Sequence, residues 1–295
     1  MGLVDTLKFQ FRNGDAVVRL IFINVSVFAV LQSINIFLML FNLQHSVQFH
    51  WLSAPASISK LMVMPWSPLT YQFLHQGLFH LLFNMLALFW FGRLFLLSFS
   101  QKQLASLYLI GGFAGYVLYA VAYNVFPYFS NIMHEAMLLG ASGSIMAIIL
   151  AAATEQPSMQ IRMLFVGAVK LKYVALFVVL TSFLGINSDN AGGEIAHLGG
   201  ALAGYIFVVS LRKGWDISAG INRIFDVWSR IFKPRRLKVK RVPNKKQKMT
   251  DAEFNQTKAT NMQEIDRILD KVKASGYQSL SADEKKRLFN QGNTN

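Results

Sequence analysis

The 295-residue sequence contains no cysteine. This absence excludes disulfide bonds, metal sites built from thiolates and a cysteine nucleophile. An enzyme with this sequence that attacks its substrate covalently therefore needs another nucleophile, such as a hydroxyl group.

Charged residues are also scarce, at 15% of the chain, whereas 53% of the residues are apolar. This composition excludes a typical soluble protein of this length. The apolar residues fall in blocks of about 20 residues, the length that an α-helix needs to cross a bilayer. The sequence therefore predicts an integral, multi-pass membrane protein.

Six of these blocks are candidate membrane spans, and they predict an all-α polytopic bundle. They cover residues 17–41, 78–100, 104–127, 137–154, 171–187 and 194–212. The first block is too long for the core of a signal peptide and no clean cleavage motif follows it, so we interpret it as a retained span. The predicted organisation is a cytoplasmic segment at 1–15, a membrane domain at 16–212 and a tail at 213–295.

The distribution of basic residues predicts the orientation of this bundle. Lys and Arg lie before the first span, in the second and fourth connections and after the sixth span, whereas the other connections contain only Lys60. By the positive-inside rule, both termini are predicted to be cytoplasmic. The same bias, without a presequence, favours a bacterial inner membrane.

The tail carries much of the formal charge of +14. Residues 230–248 are dense in Lys and Arg and predict a solvated linker that contacts anionic lipid rather than nucleic acid. Residues 261–291 predict a helical hairpin, because Gly276 would end one helix and the capping-box pattern from Ser281 to Glu284 would start another. The pattern is consistent with a hairpin that docks onto a partner and equally with a marginally stable cytoplasmic tail.

Polar side chains inside membrane spans are costly and by default mark a functional site. Three groups occur here: His80 with Asn84 in the second span, Ser142 between Gly140 and Gly143 in the fourth, and His197 in the sixth. Each group alone is more often structural, as a packing face or an interhelical hydrogen bond. However, these spans all run inward from the outer face, so the three groups are predicted to lie at one depth.

Small residues predict that the fourth and sixth spans approach closely. Gly200 and Gly204 form the small-xxx-small pattern of tightly packed membrane helices. This approach would place the Ser142 hydroxyl beside the His197 ring, where a base can take the proton of a nucleophile.

These residues resemble the motifs of the rhomboid family of intramembrane serine proteases. The motifs are His80-Leu-Leu-Phe-Asn84, Gly140-Ala-Ser-Gly143 and Ala196-His197-x-x-Gly200-x-x-x-Gly204, and the resemblance covers residues 17–212. It implies a six-transmembrane-helix rhomboid-like bundle in which Ser142 attacks a peptide carbonyl and His197 serves as base and then acid. It also implies an oxyanion held by His80, Asn84 and the Ser142 N–H, helix packing through the four glycines, and no metal or other cofactor.

The chain departs from the family pattern at two positions. Ser67 follows Trp66 where the family usually has Trp-Arg, and Met146 stands where an aromatic side chain often supports the catalytic imidazole. Glu135 and Glu194 are the only carboxylates near the outer ends of the spans. We interpret Glu194 as a rim residue, and the site as a dyad without a third carboxylate.

The predicted function is cleavage of transmembrane segments of other membrane proteins near the outer leaflet. The alternative is a non-catalytic rhomboid-like protein that binds membrane helices, although such a protein does not need both Ser142 and His197. A channel or transporter with His80 and His197 as proton relays is a third hypothesis, but it does not explain a serine between glycines.

Overall fold

The structure is a computed structural model that describes residues 2–43, 47–163, 167–232 and 250–292. It divides into two units, Met1–Lys233 and Pro234–Asn295. Most of the predicted basic linker at 230–248 lies outside the described residues, which resume at Thr250.

The first unit is mostly helical. Its helices are α1 (Leu3–Asn13), α2 (Ala16–Leu40), α3 (Val47–Leu52), α4 (Ile58–Val63), α5 (Ser67–Thr70), α6 (Leu78–Phe95), α7 (Gln101–Val125), α8 (Ser142–Glu155), α9 (Leu171–Leu184), α10 (Ala191–Arg212) and α11 (Ala219–Phe232). Within the described ranges, four helices are long and apolar enough to cross a membrane, namely α2, α6, α7 and α10. Two more apolar helices, α8 and the stretch Leu171–Asn187, are shorter.

Helix α8 lies at the centre of this unit and is buried along most of its length. It packs against α6, α7 and α10, and its contact with α10 is the most extensive. A Cβ atom at Gly200 would lie 2.0 Å from the Gly143 carbonyl oxygen, and one at Gly204 would lie 2.1 Å from that of Ala147. The two backbones therefore meet at a distance that only glycine permits on α10.

The long connection before α6 folds against the connection before α8. Strand β1 (Ala54–Pro55) pairs antiparallel with β2 (Met137–Leu138). Trp66 Nε1 donates to the Trp51 carbonyl at 2.8 Å, and the two indole rings stack. Ser67, which stands where the family usually has Arg, is buried and donates to the Met64 carbonyl at 2.7 Å.

Two further features complete the described part of the first unit. Strands β3 (Gln160–Met163) and β4 (Gly167–Lys170) form an antiparallel pair between α8 and α9. Helix α11 contacts α7, where the Ser106 hydroxyl donates to Asn222 at 2.8 Å and Lys102 forms an ion pair with Asp226.

The second unit is a helical hairpin of α12 (Asp251–Ser275) and α13 (Ala282–Gly292). Helix α12 begins well before the predicted start at 261, because Thr250 and Glu253 form a complete capping box. Gly276 ends it at a φ of +74°, which suits glycine. Ile268 on α12 and Leu280 in the connection to α13 are buried.

Candidate active site

The predicted nucleophile, Ser142, is the first residue of α8 rather than a residue one and a half turns inside a span. The helix starts late because Gly140 has a φ of +129°, a conformation that other residues rarely adopt. The Gly140 N–H donates to the Tyr71 carbonyl at 3.0 Å, which fixes this turn. The Ser142 N–H is consequently one of the free amides at a helix N-terminus.

Gly140 also brings the turn against His80. A Cβ atom at Gly140 would lie 3.2 Å from the His80 Cε1 and Nε2 atoms and 3.7 Å from the Ser142 hydroxyl oxygen. The His80 ring and the serine hydroxyl therefore lie on the same side of this glycine.

The polar residues singled out from the sequence line one cavity of about 920 Å³. Its wall includes Ser142, His197, His80 and Asn84, together with the ring of Tyr119. The acidic residues Glu135 and Asp189 and the glycines Gly192 and Gly193 also line it. A hydroxyl, two imidazoles and an amide thus face a common space.

His197 is anchored through its Nδ1 atom. This atom lies 3.1 Å from Glu194 Oε2 and 3.1 Å from the Ser182 hydroxyl. The interpretation of Glu194 as a rim residue is therefore wrong, because residues three apart on a helix share a face and the carboxylate turns towards the imidazole. Ser182 was not singled out from the sequence, although a hydroxyl in the apolar helix α9 was a signal for it.

The Ser142 hydroxyl makes no hydrogen bond within the part of the chain that the structure describes. The predicted contact with His197 is therefore absent as a hydrogen bond, although both side chains line the same cavity. Catalytic hydrogen bonds are often long without substrate and shorten in the complex. Among the described residues, His197 Nε2 has no hydrogen-bond partner, and this is the atom that a base would use.

The two side chains expected to stabilise an oxyanion have different surroundings. Asn84 is buried, and its amide donates to the His80 carbonyl one turn earlier at 2.9 Å. The His80 ring packs edge-on against the buried ring of His75, with 5.1 Å between centroids. Burial, and next the neighbouring His80, lower the pKa of His75 to about 4, so this ring is neutral at pH 7.

The other residues singled out from the sequence have packing positions. A Cβ atom at Gly143 would lie 3.3 Å from the Ala196 carbonyl oxygen, next to His197. Met146 is buried in the core that surrounds α8. Gly192 contacts Tyr119, because a Cβ atom there would lie 2.8 Å from the Tyr119 ring.

Comparison with known proteins gives two family matches. The family model of the rhomboid domain matches residues 63–214, which include every polar residue of the cavity described above. A second model, of a family of unknown function (DUF6576), matches residues 248–290, the helical hairpin.

Similar curated proteins come from Arabidopsis thaliana. RHOMBOID-like protein 12, mitochondrial, is 29% identical over 155 residues, which make up 50% of this chain and 46% of that protein. RHOMBOID-like protein 4 is 30% identical over 154 residues, which make up 51% of this chain and 36% of that protein. RHOMBOID-like protein 6, mitochondrial, is 26% identical over 162 residues. The chain thus spans less than half the length of these relatives.

Proposed function

The chain belongs to the rhomboid family, and from this we propose that it is an intramembrane serine endopeptidase that cleaves transmembrane segments of other proteins through Ser142 and His197. The observation that carries this proposal is the cavity in which a hydroxyl, an imidazole and two further hydrogen-bond donors meet. It requires no metal or other cofactor.

In the proposed reaction, His197 Nε2 takes the Ser142 hydroxyl proton as the oxygen attacks a peptide carbonyl. The negative charge on the carbonyl oxygen is stabilised by the Ser142 N–H, His80 and Asn84. The Asn84 amide nitrogen carries two N–H groups, so one can donate to this oxygen while the other keeps the His80 carbonyl. His197 then gives its proton to the leaving amine, and water hydrolyses the acyl-enzyme by the same steps in reverse.

The proposed substrate is a membrane helix that partly unwinds. A helix in lipid hydrogen-bonds its own carbonyls, so a protease must open the helix before it reaches one. We place cleavage near the outer leaflet of a bacterial inner membrane, with six helices across the bilayer and both termini in the cytoplasm. The basic linker would then contact anionic lipid.

The test is cleavage of a fluorescently labelled transmembrane helix by the purified protein in lipid vesicles. We expect discrete fragments from the wild type and none from Ser142→Ala or His197→Ala. Ser130→Ala and His134→Ala, at exposed positions before α8, are matched controls that should cleave at the wild-type rate. Cleavage at the wild-type rate by Ser142→Ala would contradict the role of Ser142 as the nucleophile.

One observation favours a second function, a non-catalytic protein that binds membrane helices. It is that Ser142 makes no hydrogen bond to His197 among the described residues. A serine-directed fluorophosphonate probe distinguishes the two, because the protease is labelled at Ser142 and loses labelling in His197→Ala. The binding protein would retain substrate helices without becoming labelled.

A further inference from the structure

Glu194 is the carboxylate closest to the proposed base. Its Oε2 atom lies 3.1 Å from His197 Nδ1, and the two side chains are about equally shielded, with 21% and 20% exposed. Glu135 and Asp189 line the same cavity, but they form no ion pair or hydrogen bond with His197 in the described ranges. The contact is therefore specific to Glu194 and does not reflect a general excess of acidic residues at the cavity.

The end of α9 leaves room for this carboxylate and places a hydroxyl beside the imidazole. Gly185, directly after α9, faces it: a Cβ atom at Gly185 would lie 2.9 Å from Glu194 Cγ and 3.0 Å from Cδ. Ser182, one turn earlier on α9, is buried and places its hydroxyl 3.1 Å from His197 Nδ1. Helices α9 and α10 together thus enclose the Nδ1 side of the imidazole.

The chemistry of this contact determines the tautomer of His197. An ionised carboxylate can only accept a hydrogen bond, so the Nδ1 atom carries the proton. The lone pair is then on Nε2, the atom that must take the proton from a nucleophile. When His197 becomes positively charged after that transfer, the carboxylate also stabilises the charge without taking the proton.

We propose that Glu194 is a positioning residue that fixes the tautomer and orientation of His197, so that the site works as a Ser142–His197–Glu194 triad. This inference rests on the proposed protease function. The proton passes from Ser142 to His197 Nε2 and then to the leaving amine. The Nδ1 proton remains on His197 throughout.

The first test separates kcat from KM with the labelled helix substrate in vesicles. Glu194→Ala should lower kcat about 10²-fold, within the range for a correctly placed general base, with KM unchanged within about twofold. Glu194→Gln keeps the size of the side chain but not its charge, and we expect a smaller loss of kcat. Glu155→Gln, which removes an ion-paired carboxylate at the far end of α8, is the matched control and should keep the wild-type kcat.

The second test displaces the carboxylate without removing it. Gly185→Ala would force Glu194 to move, so it should also lower kcat, whereas Gly220→Ala has open space around it and should not. If Gly185→Ala acts through Glu194, it causes no further loss of kcat in a Glu194→Ala background. Fully additive losses in this double-mutant cycle would overturn the inference.

The outcomes also separate this inference from the proposed function. A wild type that neither cleaves nor reacts with the fluorophosphonate probe would contradict the protease itself. An active wild type whose kcat is unchanged in Glu194→Gln would contradict only the role of the carboxylate. Thermal unfolding of each variant shows whether a lower rate comes from loss of folded protein. A wild-type kcat per folded molecule in Glu194→Ala would also overturn the inference.

Discussion

Asn84 is bound to its own helix in the structure, because its amide donates to the His80 carbonyl. The same amide nitrogen carries a second N–H group, which can donate to the oxyanion of the proposed reaction. A hydrogen bond that forms as negative charge develops on the carbonyl oxygen stabilises the transition state more than the bound substrate.

We therefore expect Asn84→Ala to lower kcat by about 10²–10³-fold, as when one oxyanion donor is lost. KM should stay close to that of the wild type. The measurement is steady-state cleavage of the labelled helix in vesicles. Asn35→Ala, which removes an amide from α2, is the control and should keep the wild-type kcat. A rise in KM without a loss of kcat in Asn84→Ala would contradict an oxyanion role.

At the residue scale, the sequence predicts four polar residues that line the cavity, but neither the rest of its wall nor all of their contacts. The i, i+4 spacing puts His80 and Asn84 on one face of their helix. The small residues around Ser142 predict that the neighbouring helices approach it closely. The contact between Ser182 and His197 could not be predicted, since it depends on how α9 packs against α10. Glu194 shares a helix with His197, yet spacing alone does not distinguish a side chain turned inward from one at the rim.

The pair α8 and α10 is the element on which the site depends. A Cβ atom at Gly200 would lie 2.0 Å from a backbone oxygen of α8, and a backbone cannot move aside as a flexible side chain can. Gly200→Ala should therefore destabilise the protein by roughly 1–3 kcal/mol or more, as overpacking does. The measurement is thermal unfolding in detergent, with Gly220→Ala as the control. An unchanged unfolding temperature for Gly200→Ala would show that the helices can separate there without cost.

The hairpin of α12 and α13 carries a titrating contact at its turn. The Ser281 N–H donates to Glu284 at 2.7 Å and Lys271 forms an ion pair with it, and together these lower the pKa of Glu284 to about 2. Because the pKa is lowered, the contact stabilises the hairpin fully at pH values above 4.5, the ordinary pKa of a glutamate. This stabilisation is lost as the pH falls towards 2.

We expect the Ser281 amide resonance of the full-length protein in micelles to titrate with a midpoint well below 4.5. Lys271→Met should move this midpoint upward, because one of the two causes is removed. A wild-type midpoint near 4.5 would contradict the contact.

For the whole molecule, the sequence predicts the helices better than the connections. Runs of apolar residues predict α2, α6, α7 and α10 closely, because length and hydropathy alone define such helices. The pairing of β1 with β2 could not be predicted, since it joins two short segments far apart in the chain. The late start of α8 depends on a single backbone conformation at Gly140, which composition does not reveal.

The absence of cysteine makes the proposed orientation directly testable. Single cysteines at Asn131, between α7 and α8, and at Gln256, on α12, replace exposed residues. A membrane-impermeant maleimide should label Asn131→Cys in intact spheroplasts and Gln256→Cys only after lysis. Labelling of both before lysis, or the reverse order, would contradict cytoplasmic termini.

Arg212, at the end of α10, donates to the Thr154 carbonyl at 2.8 Å and forms an ion pair with Glu155 at the end of α8. These two helices are thus fastened at the end remote from Ser142 as well as where their glycines meet. The helices that carry Ser142, His197 and Glu194 are therefore held together near both of their ends. In the proposed protease, we therefore expect the helices around α8 and α10 to move when a substrate enters, so that different substitutions alter the rate of opening and the rate of bond cleavage.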